Sequence, residues 1–277
     1  MSSITKKEAT FILILLSLTL PIYLLGLRGL LAFPKEFSFG IFSINLYSVS
    51  LLVGIYISAY LFDKHKSSSK ETKRINTYDA LLWIIIPAIV SARLWHVLTD
   101  FELYSQDILG IFRVWNGGLG IFGGIIGGIL GANLYTSRLK VKLLPPLALV
   151  SVFLPLGQVI GRFGNFFNRE LYGYETNFPL GFYISELGKS FHPSFAYEQV
   201  GNLILFFFLL IMYRKNGIKN HLIGVYLCGY AIVRFLTDFS RTEERILWNL
   251  TTAQIVSALI ILIVGAYFVK LRLIRTN

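Results

Sequence analysis

Thirteen residues, Gly161 to Gly173, read GRFGNFFNRELYG and directly follow the apolar run Leu147–Ile160. They hold Arg162, Asn165, Asn168, Arg169 and Glu170 among glycines and phenylalanines. Guanidinium, carboxamide and carboxylate groups at that density suit an oxygen-rich anionic ligand. Arginine suits a phosphate in particular, because its planar fork donates two N–H bonds at once. A second group, Arg234, Asp238 and Arg241, has the spacing i, i+4, i+7 and so shares one helical face. There the Arg–Asp pair orients one guanidinium and leaves the other arginine for an anion. A third stretch, HPSFAYEQ from His192 to Gln199, places Pro193 in a first helical turn with His192, Tyr197 and Glu198 beside it. The chain has no HExxH, no cluster with metal-ligand spacing, no GxSxG and no P-loop, so neither a metal nor a cofactor is expected.

Each feature also has a plain structural explanation. A lone arginine at a span end snorkels to the headgroups. A lone interfacial histidine is more often a hydrogen-bond donor than a catalyst. The glycine-rich NGGLGIFGGIIGGILG, Asn116 to Gly131, makes two smooth stripes at spacing four, which is the pattern of tight helix packing. Its outer half, Asn116–Gly124, would also let a lipid or peptide backbone approach closely. Convergence is what favours chemistry, and convergence depends on the elements that carry these residues.

Those elements are membrane spans. Of 277 residues, 55% are hydrophobic and only 15% charged, against roughly 25% charged in soluble domains, and mean hydropathy is +0.63. Eight apolar stretches qualify, at about 10–32, 44–63, 79–99, 118–136, 145–164, 195–213, 221–240 and 250–270. The expected architecture is all-α: a polytopic transmembrane bundle of seven or eight spans with short loops. Residues 1–277 form a single integral membrane domain, with 1–36 adding an N-terminal span. A signal peptide is the rival reading of that first stretch, but its apolar run reaches Phe33, which is long for one. The net charge of +11 does not point to nucleic acid, because the cations sit in short loops between spans. The single cysteine, Cys228, lies in an apolar run and says nothing about redox compartment.

Loop charges orient the spans. Lys64–Arg74, Arg138–Lys142, Arg214–Lys219 and the tail from Lys270 are rich in cations, which puts them in the cytoplasm. Arg162 and Asn165 then end an outward span, and Arg234, Asp238 and Arg241 end another. Arg93 and His96 end a third. His192 lies in an outer loop, Asn116 and Gly117 open an outer-starting span, and Tyr47 lies near the outer start of the second. Six segments thus bring polar groups to one depth, where the available anion is a phospholipid headgroup.

GRFGNFFNRELYG closely resembles the signature of bacterial prolipoprotein diacylglyceryl transferases, roughly G-R-x-G-N-F-x-N-x-E-x-x-G. IFRVWNGGLGIFGGIIGG resembles that family's glycine-rich segment, HPSFAYE its H-P-[ST]-x-x-Y-E element, and RFLTDFSRTE its R-x-x-x-E-x-x-R-[TQ] stretch, with Asp238 where Glu is usual. IFSINLYS corresponds to a segment usually ending W-Y-G. The match runs over about 37–267. The resemblance implies an enzyme of the bacterial cytoplasmic membrane with its site at the outer face. It would move the diacylglyceryl group of phosphatidylglycerol to the thiol of the lipobox cysteine in a prolipoprotein signal peptide, forming a thioether and releasing glycerol phosphate. Substitution at a glycerol carbon with a phosphate ester leaving needs donors on the phosphate and help in forming a thiolate. On this reading Arg162 and Arg234 hold the phosphate, with Arg241 as a third donor or gate and His192 or His96 as a stand-in proton carrier. Asn165, Asn168, Asn116, Gly117 and Tyr47 line the headgroup site. Glu170 orients an arginine, and Asp238, Tyr197 and Glu198 also orient. One departure matters: Phe122 stands where the family usually has His or Tyr before a Gly-Gly pair. Two other classes compete, a lipid transporter and an inactive paralogue that binds lipid or signal peptide without chemistry.

Overall fold

The computed structural model describes residues 20–40, 42–105 and 107–276. Among the described residues seven long helices dominate: α1 Leu46–His65, α2 Thr77–Thr99, α3 Ile121–Arg138, α4 Leu144–Gly161, α5 Ser194–Asn216, α6 His221–Thr237 and α7 Thr252–Thr276. Among the described residues six segments are long and apolar enough to cross a membrane, ending at His65, Thr99, Asn168, Asn216, Ser240 and Lys270. The expectation was seven or eight. The first apolar stretch falls largely outside the described residues, of which 20–27 are helical. The stretch at 118–136 does form a helix, α3, but is not among the six. Its five glycines and its polar last turn dilute hydropathy without preventing helix formation. Among the described residues three antiparallel hairpins depart from a purely α architecture: β1 Glu36–Phe39 with β2 Phe42–Asn45, β3 Phe182–Ile184 with β4 Lys189–Phe191, and β5 Arg245–Leu247 with β6 Leu250–Thr251.

The chain divides into two compact units. One is Phe62–Leu147, and α2 and α3 are its framework. A Cβ added to Gly123, Gly127 or Gly131 would land on the carbonyls of Ser91, Pro87 and Trp83. Glycine spacing therefore brings the two backbones together, as expected for small residues at a membrane helix interface. Arg93, 6% exposed, donates from Nε to the Ile111 carbonyl (2.8 Å), from Nη1 to Gly117 (2.6 Å) and Gly118 (2.9 Å), and from Nη2 to Gly110. An arginine expected at the headgroup site instead holds a loop of its own unit, satisfying carbonyls that would otherwise be stranded. His96 is likewise engaged, with Nδ1 2.9 Å from the Tyr104 hydroxyl.

The other unit joins the chain up to Leu61 with Ala148 onward. α1 and α4 approach closely at Gly54 and Gly157: a Cβ on Gly54 would sit 2.5 Å from the Gly157 carbonyl oxygen. Gly201 lies under Val233 and Gly229 under Leu205, which does the same for α5 and α6, and Gly224 meets Phe268 of α7. At one end of this unit Leu27, Phe166, Phe182, Ile184 and Phe195 form a buried cluster, with Tyr23, Phe33, Phe167 and Phe191 packed around it. The phenylalanines of GRFGNFFN thus anchor a short helix, Phe163–Asn168, beneath the β3–β4 hairpin and at the start of α5.

Candidate functional site

Arg162 is the hinge residue between α4 and the Phe163–Asn168 helix, where it forms that helix's N-cap. Its guanidinium reaches two partners: Nη2 donates to Glu198 Oε1 of α5, and Nη1 donates to Asn165 Oδ1 at 3.1 Å. Asn165 in turn donates from Nδ2 to Glu170 Oε1 at 2.8 Å. Two glycines of the motif make this arrangement possible. A Cβ on Gly164 would come 2.6 Å from the ring of Tyr47. At Gly173 a Cβ would fall on the carbonyl of Ser240. That close approach bridges Gly173 to Arg241, with Tyr174 N donating to Ser240 O at 3.0 Å. The motif therefore delivers Arg162 at its start and the neighbourhood of Arg241 at its end.

Glu198 is the hub. It is 1% exposed and accepts from arginines of three segments. Oε1 faces Arg162 and the Tyr230 hydroxyl (3.2 Å); Oε2 faces Arg241 Nη2 (3.0 Å) and Arg234 Nη1 (3.5 Å). Asp238, fully buried, lies 3.0 Å from Arg234 Nη2 and 3.8 Å from Arg241 Nε through Oδ1, while Oδ2 accepts from Thr251. Those Asp238–arginine approaches are charge pairs without hydrogen-bond geometry, and Arg241 Nε has no acceptor. Glu243 adds a third carboxylate, taking Arg234 Nη2 at 3.1 Å and Arg241 Nη1 at 3.0 Å on one oxygen. Burial pushes the Glu243 carboxyl up, but its bond from Arg241 and the charges of both arginines outweigh that and hold it below the usual carboxylate range. Burial and the neighbouring Arg234 lower Arg241 from the usual arginine value, although a guanidinium stays cationic throughout. A cavity of about 370 Å³ opens beside this cluster, lined by Arg169, Glu170, Leu171, Tyr172, Arg241, Thr242 and Glu243. Arg169 and Leu171 in its wall hold left-handed backbone at φ 56° and 55°, a conformation that non-glycine residues adopt only when the surroundings impose it.

The structure brings together Arg162, Asn165, Glu170, Glu198, Arg234, Asp238 and Arg241, and packs Tyr47 against Gly164. It differs from the sequence expectation at several points. Arg241 is not left over by the Arg234–Asp238 pair; it is buried and bonded to Glu198 and Glu243. Glu170 orients Asn165 rather than an arginine. Tyr197 is paired with His192, whose Nδ1 lies 2.9 Å from the Tyr197 hydroxyl, and not with the arginines. His192 joins the site through its backbone, accepting from Gly173 N at 2.8 Å and donating to Tyr174 O at 2.9 Å. Asn168 makes no hydrogen bond to the cluster among the described residues. Gly117 belongs to the other unit, where its carbonyl accepts from Arg93. The side chain of Asn116 lies outside what is described. Phe122, 46% exposed, meets Trp95 at a centroid distance of 5.8 Å. Sequence reasoning missed Glu243 and Tyr230. The acidic pair Glu243–Glu244, two residues beyond Arg241, was the available signal for the first; an i+4 step back from Arg234 was the signal for the second. Among the described residues no group of three His, Cys, Asp or Glu side chains is placed to hold a metal ion.

A family model described as prolipoprotein diacylglyceryl transferase matches residues 34–270. Among curated relatives, proteins named phosphatidylglycerol–prolipoprotein diacylglyceryl transferase are similar along most of their length. The one from Finegoldia magna is 32% identical over 81% of this chain and 91% of its own. That from Streptococcus equi subsp. zooepidemicus is 33% identical over 86% and 94%, and that from Thermotoga maritima 34% over 85% and 84%.

Proposed function

The chain belongs to the prolipoprotein diacylglyceryl transferase family, and from that membership and the arginine cluster we infer how it works. It is a multi-pass membrane enzyme that transfers the diacylglyceryl group of phosphatidylglycerol to a prolipoprotein. The acceptor is the thiol of the lipobox cysteine in the signal peptide, the product is a thioether, and glycerol phosphate leaves. The site faces the outer side of the cytoplasmic membrane, where a translocated signal peptide presents its cysteine.

The observation that carries this reading is Glu198 buried among Arg162, Arg234 and Arg241. In a low-dielectric setting a carboxylate so placed fixes three guanidinium groups before any substrate arrives. Preorganised donors stabilise charge that develops in a transition state without reorganising at that moment. Arg234 and Arg241, on the Oε2 side of Glu198, meet the lipid phosphate; as the carbon–oxygen bond breaks they take up the charge on the leaving glycerol phosphate. Arg162, on the Oε1 side, holds the hub in place together with Asn165. The incoming thiol has an ordinary pKa of about 8.5, and a nearby cationic group increases its thiolate fraction. The chemistry therefore proceeds with Phe122 at a position where a ring that carries protons is more usual.

The direct test is to incubate the purified protein in detergent with phosphatidylglycerol and a lipobox peptide. The peptide is expected to gain the mass of one diacylglyceryl group on its cysteine. A peptide of unchanged mass, with protein that is folded and monodisperse, overturns the assignment.

A further inference from the structure

The three arginines and the two fully buried carboxylates do not cancel. Arg162, Arg234 and Arg241 carry three positive charges; Glu198 and Asp238, at 1% and 0% exposure, carry two negative ones. Glu243 supplies the charge that balances the cluster, and it is the member that can move. Its side chain is 41% exposed, and only one of its oxygens is engaged. It lies in an irregular segment between Arg241 and the β5 strand, at the wall of the 370 Å³ cavity. Glu198 has both oxygens bound, and Asp238 is tied to Thr251. Glu170, the other carboxylate on the cavity wall, is committed to Asn165. An uncompensated charge at such partly buried guanidinium groups is unfavourable, so the seat is open in only a minor fraction of molecules until another anion replaces Glu243. A phosphodiester carries one negative charge, as a carboxylate does, and offers oxygens at similar spacing. Arg241 Nε, buried and without an acceptor, adds a donor that the carboxylate leaves unused.

We propose that Glu243 occupies the phosphate seat of the substrate-free enzyme, and that the phosphodiester of phosphatidylglycerol displaces it from between Arg234 and Arg241. This rests on the transferase reading above. Glu243 keeps the two guanidinium groups apart and oriented while no lipid is bound. It also competes with the lipid, so the apparent affinity is the intrinsic one reduced by the fraction of molecules in which the seat is open. After transfer, its return helps to expel glycerol phosphate.

Two variants, Glu243→Gln and Glu243→Ala, test this in the full-length protein in detergent. Dihexanoylphosphatidylglycerol and sn-glycerol 1-phosphate are each titrated calorimetrically. Glu243→Gln is expected to bind the short-chain lipid at least about fivefold more tightly than the unmodified chain, with KM for phosphatidylglycerol falling in parallel. Glu243→Ala should shift binding in the same direction. Unchanged or weaker lipid binding in both variants overturns the proposal and makes Glu243 a structural ion-pair partner. Tighter binding of sn-glycerol 1-phosphate without tighter binding of the lipid also overturns it. The binding arm is independent of turnover, so a chain that makes no thioether but shows the affinity gain defeats the transferase reading and leaves the seat intact.

Discussion

At the scale of single residues, the guanidinium groups of Arg162, Arg234 and Arg241 converge on one buried carboxylate, Glu198. Arg234 and Asp238 sit one turn apart, so their pairing could be read from spacing alone. Arg162 and Glu198 are 36 positions apart, and nothing in their local sequence says that they meet. The sequence therefore makes Glu198 one orienting group among several, whereas in the structure three arginines converge on it. Arg162 itself illustrates why residue type matters there. Two of its nitrogens serve two acceptors in different directions, Glu198 and Asn165. A lysine keeps the charge but presents one ammonium and cannot span both. Arg162→Lys is expected to lose at least about tenfold in kcat/KM, equivalent to about 1.4 kcal/mol of barrier. The thioether assay measures it directly. Near-full rates in Arg162→Lys and in Arg162→Ala would reduce Arg162 to a snorkelling side chain.

At the scale of elements, the spans were legible and the pieces between them were not. Apolar length fixed α1, α2, α4, α5, α6 and α7 to within a few residues at most ends. The three hairpins escaped notice because their strands are two to four residues long, too short for an alternating pattern to register. Yet one such irregular segment assembles the site: Gly173 lies so close to Ser240 that the chain after Glu170 pairs with Arg241. Overpacking at such a contact forces backbone shifts that typically cost about 1–3 kcal/mol. Gly173→Ala should therefore lower the melting temperature in detergent and cut transfer by more than the loss of folded protein explains. Gly265→Ala is the matched control, since a Cβ there meets nothing within 4 Å. Identical behaviour of the two variants would show that the Gly173–Ser240 approach does not position Arg241.

At the scale of the whole molecule, the disposition in the membrane turns on α3, which hydropathy alone leaves out of the six apolar segments. Cations gather after α1 at Lys64–Arg74, after α3 at Arg138–Lys142, and after α5 at Arg214–Lys219. If α3 crosses, all three groups share the cytoplasmic side, and the ends of α4 and α6, which carry Arg162 and Arg234, face outward. If α3 does not cross, Lys142 moves to the outer side and the segment around Ser185 moves inside. On the positive-inside rule we propose that α3 crosses despite its glycines, with its close packing on α2 supplying helix–helix contacts in place of hydropathy. Single cysteines at Lys70, Lys142 and Ser185, in a Cys228→Ser background, separate the two arrangements. With an impermeant thiol reagent on intact cells, the cysteine at position 185 should label and those at 70 and 142 should not. Labelling at 142 with protection at 185 would remove α3 from the spans and place the arginine cluster on the cytoplasmic side, away from any translocated signal peptide.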